Sequence, residues 1–322
     1  MSAYRDRRAL VLGGLGFIGA HVADRLQRLG ADVTVVTRAL AHHHDAAVAF
    51  RTRNIRVVEG DLRDADAMRA AVANHTYIFN LAGQSGAVSS MEDPFTDLDV
   101  NCRGNLVLLE ALREVNPDAK LVFVSSRLAY GHAGAAPASE DRDVDPLCMH
   151  AVHKLAVEQY LRIYERAHGL RFAVGRLTNP YGPGQPRART AYGIVNRLIH
   201  LALAGEELAV YGDGEQRRDY IYVDDAVDAL LRMGESPASD GRLYNVGSGI
   251  GTRFVDMARA VTEIAGGGRV RLTPWPPLAE QIETGDFVAD IDRIRRELGW
   301  TPHVALADGL QRTVAFYRAH VA

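Results

Sequence analysis

A glycine-rich turn near the start of the chain constrains the fold more than any other feature. Gly13, Gly16 and Gly19 stand at G-x-x-G-x-x-G spacing. An apolar run at Leu10–Leu12 precedes them, and a helical pattern at Phe17–Leu29 follows. In a strand-turn-helix segment, such glycines permit a tight turn, close approach to a pyrophosphate and a helix N-terminus directed at the anion. The segment therefore predicts a dinucleotide-binding site.

Short β-branched runs alternate with helical patterns over the first half of the chain. The predicted strands are Leu10–Leu12, Val33–Val36, Ile55–Val58, Thr76–Leu81 and Leu121–Ser125, with another near 172–177. The predicted helices are Phe17–Leu29, Asp64–Ala73 and Asp97–Val115, with another near 150–168. Repeated β-α-β units predict an α/β fold, a Rossmann-type doubly wound parallel sheet with helices on both faces.

The regular alternation ends after Leu177. A cluster of turn residues, Asn179-Pro-Tyr-Gly-Pro-Gly184, interrupts it, and short strands and proline-rich loops follow. This predicts a smaller mixed α/β lid beside the sheet. We expect residues 1–178 and roughly 218–247 to form an NAD(P)-binding domain. Residues 179–217 and 248–322 would form a substrate-binding domain.

The composition excludes several classes of partner. The 322 residues carry a net charge of only −3, so there is no basic footprint for nucleic acid or for a membrane surface. No apolar run approaches the roughly 18 residues of a membrane span. Two cysteines, Cys102 and Cys148, cannot build a disulfide framework, which favours a cytoplasmic protein. The run of histidines at 42–44 is interpreted as an exposed loop, and no metal site is predicted.

The end of the second predicted strand bears on the choice of cofactor. An acidic residue there would bind the ribose of NAD, whereas an arginine accommodates the additional phosphate of NADP. This chain has Thr37-Arg38 and no acid, which favours NADP over NAD unless Arg38 only points into solvent. Asp61 and Leu62, after the third strand, are predicted contacts on the adenine side.

A series of further motifs continues in order along the chain. They are Gly13–Gly19, Asn80–Gly83, Asn101 with Gly104-Asn105, Ser125-Ser126 before Tyr130-Gly131, Lys154, Arg176–Gly182, Tyr211–Tyr220, Tyr222–Asp225, Asn245–Gly247 and Leu298–Trp300. Over nearly its whole length the chain thus resembles the extended short-chain dehydrogenase/reductase family, particularly its nucleotide-sugar epimerases and dehydratases. The family also implies a homodimer formed through two helices of the sheet domain.

The resemblance, together with the glycine turn and the strand ends, gives a set of expected cofactor contacts. They are Gly13, Gly16, Phe17, Ile18, Gly19, Thr37, Arg38, Asp61, Leu62, Leu81, Ala82, Gly83, Asn101 and Lys154.

One position of the family's catalytic set is changed. In the family a Tyr and a Lys four residues later share a helix face opposite a Ser or Thr. Lys154 and Ser126 match, but His150 stands at the Tyr position. A neutral imidazole accepts a proton near pH 7, so we predict His150 as the base, with a bridging water if its shorter side chain requires one. The alternative is that His150 only fills the site. We expect His153 to face away from the site and Tyr130 to be a packed aromatic.

The two residues after Ser126 exclude some family reactions. Family dehydratases place an Asp–Glu pair there, and the sugar-acid decarboxylases keep the Glu. Arg127 and Leu128 stand at these positions, so no acid/base pair exists for elimination. Epimerisation needs no such pair, because hydride leaves and returns at the same carbon.

The family resemblance also implies contacts with a nucleotide sugar. Asn179 and Arg218 would lie near its diphosphate, since a buried arginine suits bidentate phosphate binding. The predicted substrate contacts are Ser126, Asn179, Gln185, Arg187, Tyr192 and Arg218. Many relatives carry another arginine before Ala289-Asp290, but here the region reads Ala279-Glu280-Gln281, without a cation.

Three functions remain open from the sequence. The first is a nucleotide-sugar epimerase that inverts C4 through a transient 4-keto sugar. The second is an NADPH-dependent reductase of a keto sugar or another carbonyl, which Thr37-Arg38 would suit. The third is a cofactor- and sugar-binding protein that has lost redox activity, which the change at His150 would explain.

Overall fold

The computed structural model describes residues 2–38, 40–185 and 193–320, and their contacts form two compact units. Unit 1 comprises Met1–Ser126, Cys148–Arg176 and Val227–Tyr244, and unit 2 comprises Arg127–Leu147, Leu177–Ala226 and Asn245–Ala322. The loop after Ser126 thus packs with unit 2. The predicted division into a cofactor domain and a substrate domain, with the boundaries given above, stays a prediction.

The strands and helices are as follows. The strands are β1 (Arg8–Leu12), β2 (Asp32–Thr37), β3 (Arg56–Glu59), β4 (Tyr77–Asn80), β5 (Lys120–Ser126), β6 (Arg171–Leu177), β7 (Asn179–Tyr181), β8 (Glu207–Tyr211), β9 (Arg217–Tyr222), β10 (Arg242–Val246), β11 (Gly251–Arg253) and β12 (Arg269–Thr273). The helices are α1 (Phe17–Arg28), α2 (His44–Arg51), α3 (Ala65–Val72), α4 (Ala87–Glu92), α5 (Pro94–Leu98), α6 (Gly104–Val115), α7 (Met149–His168), α8 (Ile194–Leu203), α9 (Val223–Glu235), α10 (Phe254–Ala265), α11 (Pro277–Gln281), α12 (Asp292–Leu298) and α13 (Leu306–His320).

A seven-stranded sheet in the order β10-β6-β5-β4-β1-β2-β3 forms the centre of unit 1. Strand β1 pairs in parallel with β2 and β4, where Leu10 is opposite Thr34 and Ile78. Continuous apolar strands of this kind are buried on both faces, here with apolar side chains of α3, α6 and α7 in one core. The predicted Rossmann-type fold is confirmed.

One predicted helix begins earlier than expected and contains a widened turn. The helix predicted over Asp97–Val115 begins at Pro94 as α5, where the Asp93 side chain accepts a hydrogen bond from the Thr96 backbone N–H. A turn of π-helix at Asp99–Arg103 then precedes α6. Such a widened turn often occurs at a functional site. It contains Asn101, one of the expected cofactor contacts.

Unit 2 contains two smaller sheets. Strand β9 lies between β7 and β11, and β8 pairs with β12. Helices α8, α10 and α13 contribute the apolar side chains of the unit 2 core. A 3₁₀ turn at Arg127–Tyr130 follows β5 directly. As predicted, Tyr130 is a packed aromatic, and its hydroxyl donates to Asn245 Oδ1 at 2.7 Å.

None of the helices in the described ranges is long and apolar enough to cross a membrane.

Candidate active site

The glycine turn after β1 leaves no space for side chains. Gly13 has φ +76°, and a Cβ there would lie 2.9 Å from the Ala82 backbone nitrogen. A Cβ on Gly19 would lie 2.3 Å from the Gly13 carbonyl oxygen. Gly16 caps α1 without a side-chain hydrogen bond, so the first backbone N–H groups stay available to an anion. This turn fits the pyrophosphate of a dinucleotide.

The segment after β4 forms a second part of the cofactor site. Asn101 Oδ1 accepts from the Gln84 backbone N–H at 3.1 Å, and Asn101 Nδ2 donates to the Gln84 carbonyl at 3.0 Å. A Cβ on Gly83 would lie 2.6 Å from Asn101 Oδ1 and 3.5 Å from Lys154 Nζ. The structure therefore brings together Gly83, Asn101 and Lys154, three of the predicted contacts. The glycine is required for their close approach.

The predicted adenosine-side residues follow β2 and β3. Thr37 and Leu62 are buried, whereas Arg38 is exposed. Arg63 donates to both carboxylate oxygens of Asp61, at 3.0 Å from Nε and 2.7 Å from Nη2. These hydrogen bonds, with a smaller effect of the Arg38 charge, lower the pKa of Asp61. Sequence analysis had not identified Arg63 as the partner of Asp61.

Helix α7 positions the residue at the family's tyrosine position. His150 and Lys154 lie one turn apart on this helix, and both are buried. His150 Nδ1 is 3.6 Å from Asp97 Oδ2, and His153 Nδ1 is 2.6 Å from Asp97 Oδ1. The Ser90 hydroxyl accepts from the His150 backbone N–H at 3.0 Å, which holds the start of the helix.

The predicted orientation of His153 is wrong. Residues three apart on a helix are neighbours on its surface, so His153 shares a face with His150. Both imidazoles face the carboxylate of Asp97, which is fully buried. Asp97 was not predicted from the sequence, because it is distant in the chain from α7 and only the fold brings the two together.

The charges around Asp97 favour a neutral His150. Burial raises the pKa of Asp97, but the nearby His150 ring and the hydrogen bond with His153 outweigh burial and bring the pKa to about 2. Burial lowers the pKa of His150, and the nearby Lys154 charge adds to this effect against the attraction of Asp97. Nδ1 lies 3.6 Å from the carboxylate, too far for a hydrogen bond, so it is the negative charge of Asp97 that favours the tautomer with the proton on Nδ1. Nε2 of His150 is then a proton acceptor.

Lys154 is fixed against β5. Its ammonium donates to the Val124 carbonyl at 3.0 Å and lies 4.8 Å from the ring centre of Phe123. Burial lowers the pKa of Lys154 to about 8. Ser126 is the last residue of the same strand and is half-buried. The predicted set of Ser126, His150 and Lys154 therefore lies on one strand and one helix that pack together in unit 1.

The predicted substrate contacts of unit 2 have varied surroundings. Arg218 is buried, donates to the Gly285 carbonyl and forms an ion pair with Glu283. Asn179 Nδ2 donates to the Asp219 carbonyl at 2.7 Å. Gln185 is buried, and its Oε1 accepts from Asn196 at 2.8 Å. Their roles in binding substrate stay predictions.

Two predicted contacts, Arg187 and Tyr192, lie outside the described residues.

Arg127 is a buried cation. In the sequence it was notable only because it stands where the family dehydratases have an acid. It follows Ser126 directly, and its Nη1 donates to Thr284 Oγ1 at 2.9 Å. Its guanidinium carbon lies 5.4 Å from the ring centre of Phe287. Burial, and then the charge of Arg218, lower the pKa of Arg127 to about 10.

Metal-binding geometry is not found in the parts of the chain that the structure describes, where no three His, Cys, Asp or Glu side chains form a suitable group.

Comparison with known proteins agrees with this arrangement. Residues 9–247 match the NAD dependent epimerase/dehydratase family. The chain is 35% identical to a UDP-glucose 4-epimerase of Mycolicibacterium smegmatis, covering 97% of this chain and 98% of the relative. It is 31% identical to a dTDP-glucose 4,6-dehydratase of Streptomyces niveus, covering 97% and 93%.

Solved structures give the same result. The UDP-glucose 4-epimerase of Thermotoga maritima, determined with UDP-glucose, has a TM-score of 0.87 at 33% identity and covers 98% of this chain and 100% of its own. The Thermus thermophilus enzyme in complex with NAD has a TM-score of 0.85 at 32% identity, covering 97% and 99%. The chain therefore belongs to the NAD-dependent epimerase/dehydratase family and is an enzyme of the extended short-chain dehydrogenase type.

Proposed function

We propose that this protein is a nucleotide-sugar epimerase that inverts C4 through a transient 4-keto sugar, with NAD(P) bound throughout. The observation that carries the proposal is the Asp97 carboxylate beside His150, which leaves Nε2 of a neutral imidazole as a proton acceptor. The similarity to UDP-glucose 4-epimerases supports the choice of carbon and of substrate class.

The residues of unit 1 have separate tasks in this reaction. The glycine turn and Lys154 would hold the dinucleotide, which when bound supplies a reversible hydride acceptor for C4. Nε2 of His150 takes the proton of the 4-hydroxyl, directly or through one water, while Ser126 hydrogen-bonds the same oxygen. Asp97 stabilises the imidazolium that forms, because its carboxylate stays ionised. The 4-keto sugar then rotates so that its opposite face is directed at the cofactor site, and His150 returns the proton to the oxygen on C4.

The loop after Ser126 supports epimerisation over the dehydration catalysed by some relatives. Elimination of water needs an acid and a base beside the sugar, and the family dehydratases supply them directly after this serine. Arg127 and Leu128 offer neither group here. In unit 2, Asn179 and Arg218 would hold the diphosphate, with Gln185, Arg187 and Tyr192 as further substrate contacts.

We also propose a homodimer, formed through the exposed apolar side chains of α5 and α7. Phe95 on α5 is 81% exposed and Ile163 on α7 is 54% exposed, so both are free to enter an apolar interface. Phe95→Asp should convert the dimer to a monomer in size-exclusion chromatography with light scattering. Wild-type protein that elutes as a monomer would contradict the dimer.

A keto-sugar reductase is the second candidate, and Arg38 favours it. This cation is exposed after β2 near Asp61, where it could meet the additional phosphate of NADPH. A reductase consumes NADPH stoichiometrically, whereas an epimerase reuses its bound cofactor.

Replacement of His150 tests the proposed function. His150→Phe should lower turnover of the best substrate in a panel of nucleotide sugars by about 10²- to 10⁴-fold, the usual contribution of a general base. His168→Phe, at the exposed end of the same helix, is the matched control and should retain wild-type turnover. Equal activity of wild type and His150→Phe would exclude the proposed role. A wild type that converts no sugar would favour the redox-inactive alternative.

A further inference from the structure

Three polar side chains of unit 2 lie close together, those of Arg127, Arg218 and Tyr220. Arg218 and Tyr220 are two residues apart on β9, so their side chains point to the same face of its sheet. Arg127 reaches this region from the turn after β5, since it bonds Thr284 while Arg218 bonds the residues on either side, Glu283 and Gly285. All three side chains are buried.

The cations of this group exceed the anions. Glu283 forms an ion pair with Arg218, but Arg127 has a neutral hydroxyl as its hydrogen-bond partner. No carboxylate in the described ranges forms an ion pair with Arg127, and every Asp and Glu of the chain falls within those ranges. A buried guanidinium without a counter-ion is costly, and this favours an anionic ligand.

Tyr220 adds an unused donor. Its buried hydroxyl has no hydrogen-bond partner in the structure's described part, although burial of such a group without a bond costs about 1–3 kcal/mol. Burial raises the pKa of Tyr220, and the charges of Arg218 and Arg127 oppose that rise. Tyr220 lies two residues from Arg218 on the same face of β9, so its hydroxyl is available to donate to an oxygen that the guanidiniums attract.

Resting on the proposed function, we propose that Arg127 and Tyr220 complete an anion site with Arg218, and that this site binds an anionic oxygen group of the substrate. Arg127 would supply a second cation in a chain that lacks the lid arginine of many relatives. Two sources share the required chemistry. One is the diphosphate, and the other is a carboxylate carried by the sugar, since Arg127 directly follows Ser126.

Isothermal titration calorimetry on the cofactor-bound protein tests the site. The probes are the five common nucleoside diphosphates, followed by the glucose and glucuronic acid conjugates of the tightest binder. Arg127→Met should weaken binding of the anionic probe about 10- to 100-fold, the expected loss for a hydrogen bond to a charged group. Tyr220→Phe should weaken it about tenfold or less.

Tyr220→Phe also separates a binding role from a structural one. Because it removes a buried hydroxyl without a partner and keeps the ring, its melting temperature without substrate should equal or exceed that of wild type. The same variant should nevertheless bind the probe more weakly. Matched controls are Tyr222→Phe on the same strand and Arg296→Met on an exposed face of α12, and both should bind as wild type does.

The pattern across probes identifies the source of the anion. Equal losses for the diphosphate and both conjugates assign the site to the diphosphate, whereas a loss confined to the glucuronic acid conjugate assigns it to a sugar carboxylate. Wild-type affinity of both Arg127→Met and Tyr220→Phe for every probe overturns the site, as does a wild type that binds none. If Arg127→Met does not fold, Tyr220→Phe decides alone.

The anion site and the proposed epimerase function can be refuted separately. Binding that depends on Arg127 in a protein that epimerises no sugar would retain the anion site and refute the proposed function. Epimerisation by the wild type, with unchanged probe binding in Arg127→Met and Tyr220→Phe, would retain the proposed function and refute the anion site.

Discussion

In unit 1 two histidine rings face the carboxylate of Asp97. In unit 2 the carboxylate of Glu283 forms an ion pair with one of two buried arginines. His150, His153 and Lys154 thus have an internal anion. Within residues 2–38, 40–185 and 193–320, Arg127 and Arg218 have one ion-paired carboxylate between them, and the Tyr220 hydroxyl has no hydrogen-bond partner.

This difference separates two uses of buried charge. A group that moves a proton must change its charge at little cost, so the protein itself supplies the counter-ion. A group that holds a ligand keeps its charge, and the counter-ion arrives with the ligand. Variants that add or remove a carboxylate should therefore affect kcat in unit 1 and affinity in unit 2.

Among the variants that change a carboxylate, the largest expected effect follows removal of the Asp97 charge. Asp97→Asn should lower kcat about 10- to 100-fold, because the imidazolium of His150 loses its counter-ion. KM should stay within about twofold, since Asp97 does not contact substrate in this mechanism. Steady-state kinetics on the best substrate measures both constants. A change confined to KM would place Asp97 with the binding groups.

The pH dependence of kcat is the next test of unit 1. Burial holds the pKa of His150 below its ordinary value of 6.5, so the neutral base persists as pH falls through 6.5. Protonation at lower pH should reduce kcat about tenfold per pH unit. Lys154, with its pKa at about 8, loses its charge above that pH, so activity should also fall there. His150→Tyr should move the acid limb upward, because a phenol ionises at higher pH. If the acid limb of the profile does not move in His150→Tyr, then His150 is not the group whose protonation lowers kcat.

In unit 2 the corresponding change acts on Glu283. Glu283→Gln keeps a hydrogen-bond acceptor for Arg218 but removes the internal counter-ion. Affinity for the tightest nucleoside diphosphate should therefore rise several-fold, with kcat nearly unchanged. Calorimetry with and without added salt measures this, and salt should reduce the gain. Weaker binding in the variant would mean that Glu283 itself contacts the ligand.

The smallest expected effect concerns Arg38, a cation in neither buried group. Arg38→Ala should weaken NADP binding about three- to tenfold and leave NAD binding unchanged, because an exposed charge is strongly screened. Fluorescence titration of the two cofactors gives the ratio. Equal losses for both would mean that Arg38 does not recognise the additional phosphate.

The sequence predicted those parts of the site whose residues are close together in the chain. Strand β1, the glycine turn and α1 are one local unit, and the spacing of Gly13, Gly16 and Gly19 has a direct steric cause. The spacing of His150 and Lys154 likewise defines one helix face. The helix over Asp97–Val115 was predicted, but its turn of π-helix around Asn101 was not, because apolar periodicity does not show it.

The parts that the sequence could not predict depend on contacts between distant segments. Asp97 meets α7 only after α5 packs on it, and no local pattern marks that carboxylate as buried. Arg127 is buried because Thr284 and Phe287 pack over the turn after β5. In the sequence it was notable only as the residue that replaces an acid. Hydrophobic periodicity locates cores, but it does not show which charges will share one.

The balance of cofactor over many turnovers tests the central claim most directly. Wild type should interconvert the two C4 epimers of its best nucleotide sugar, followed by NMR of the anomeric proton. The absorbance of reduced nicotinamide should remain constant once the bound cofactor reaches its steady state, and His150→Phe should interconvert the epimers about 10²- to 10⁴-fold more slowly. Loss of one reduced nicotinamide for each sugar converted, or undiminished epimerisation by His150→Phe, would contradict a C4 epimerase that uses His150 as its base.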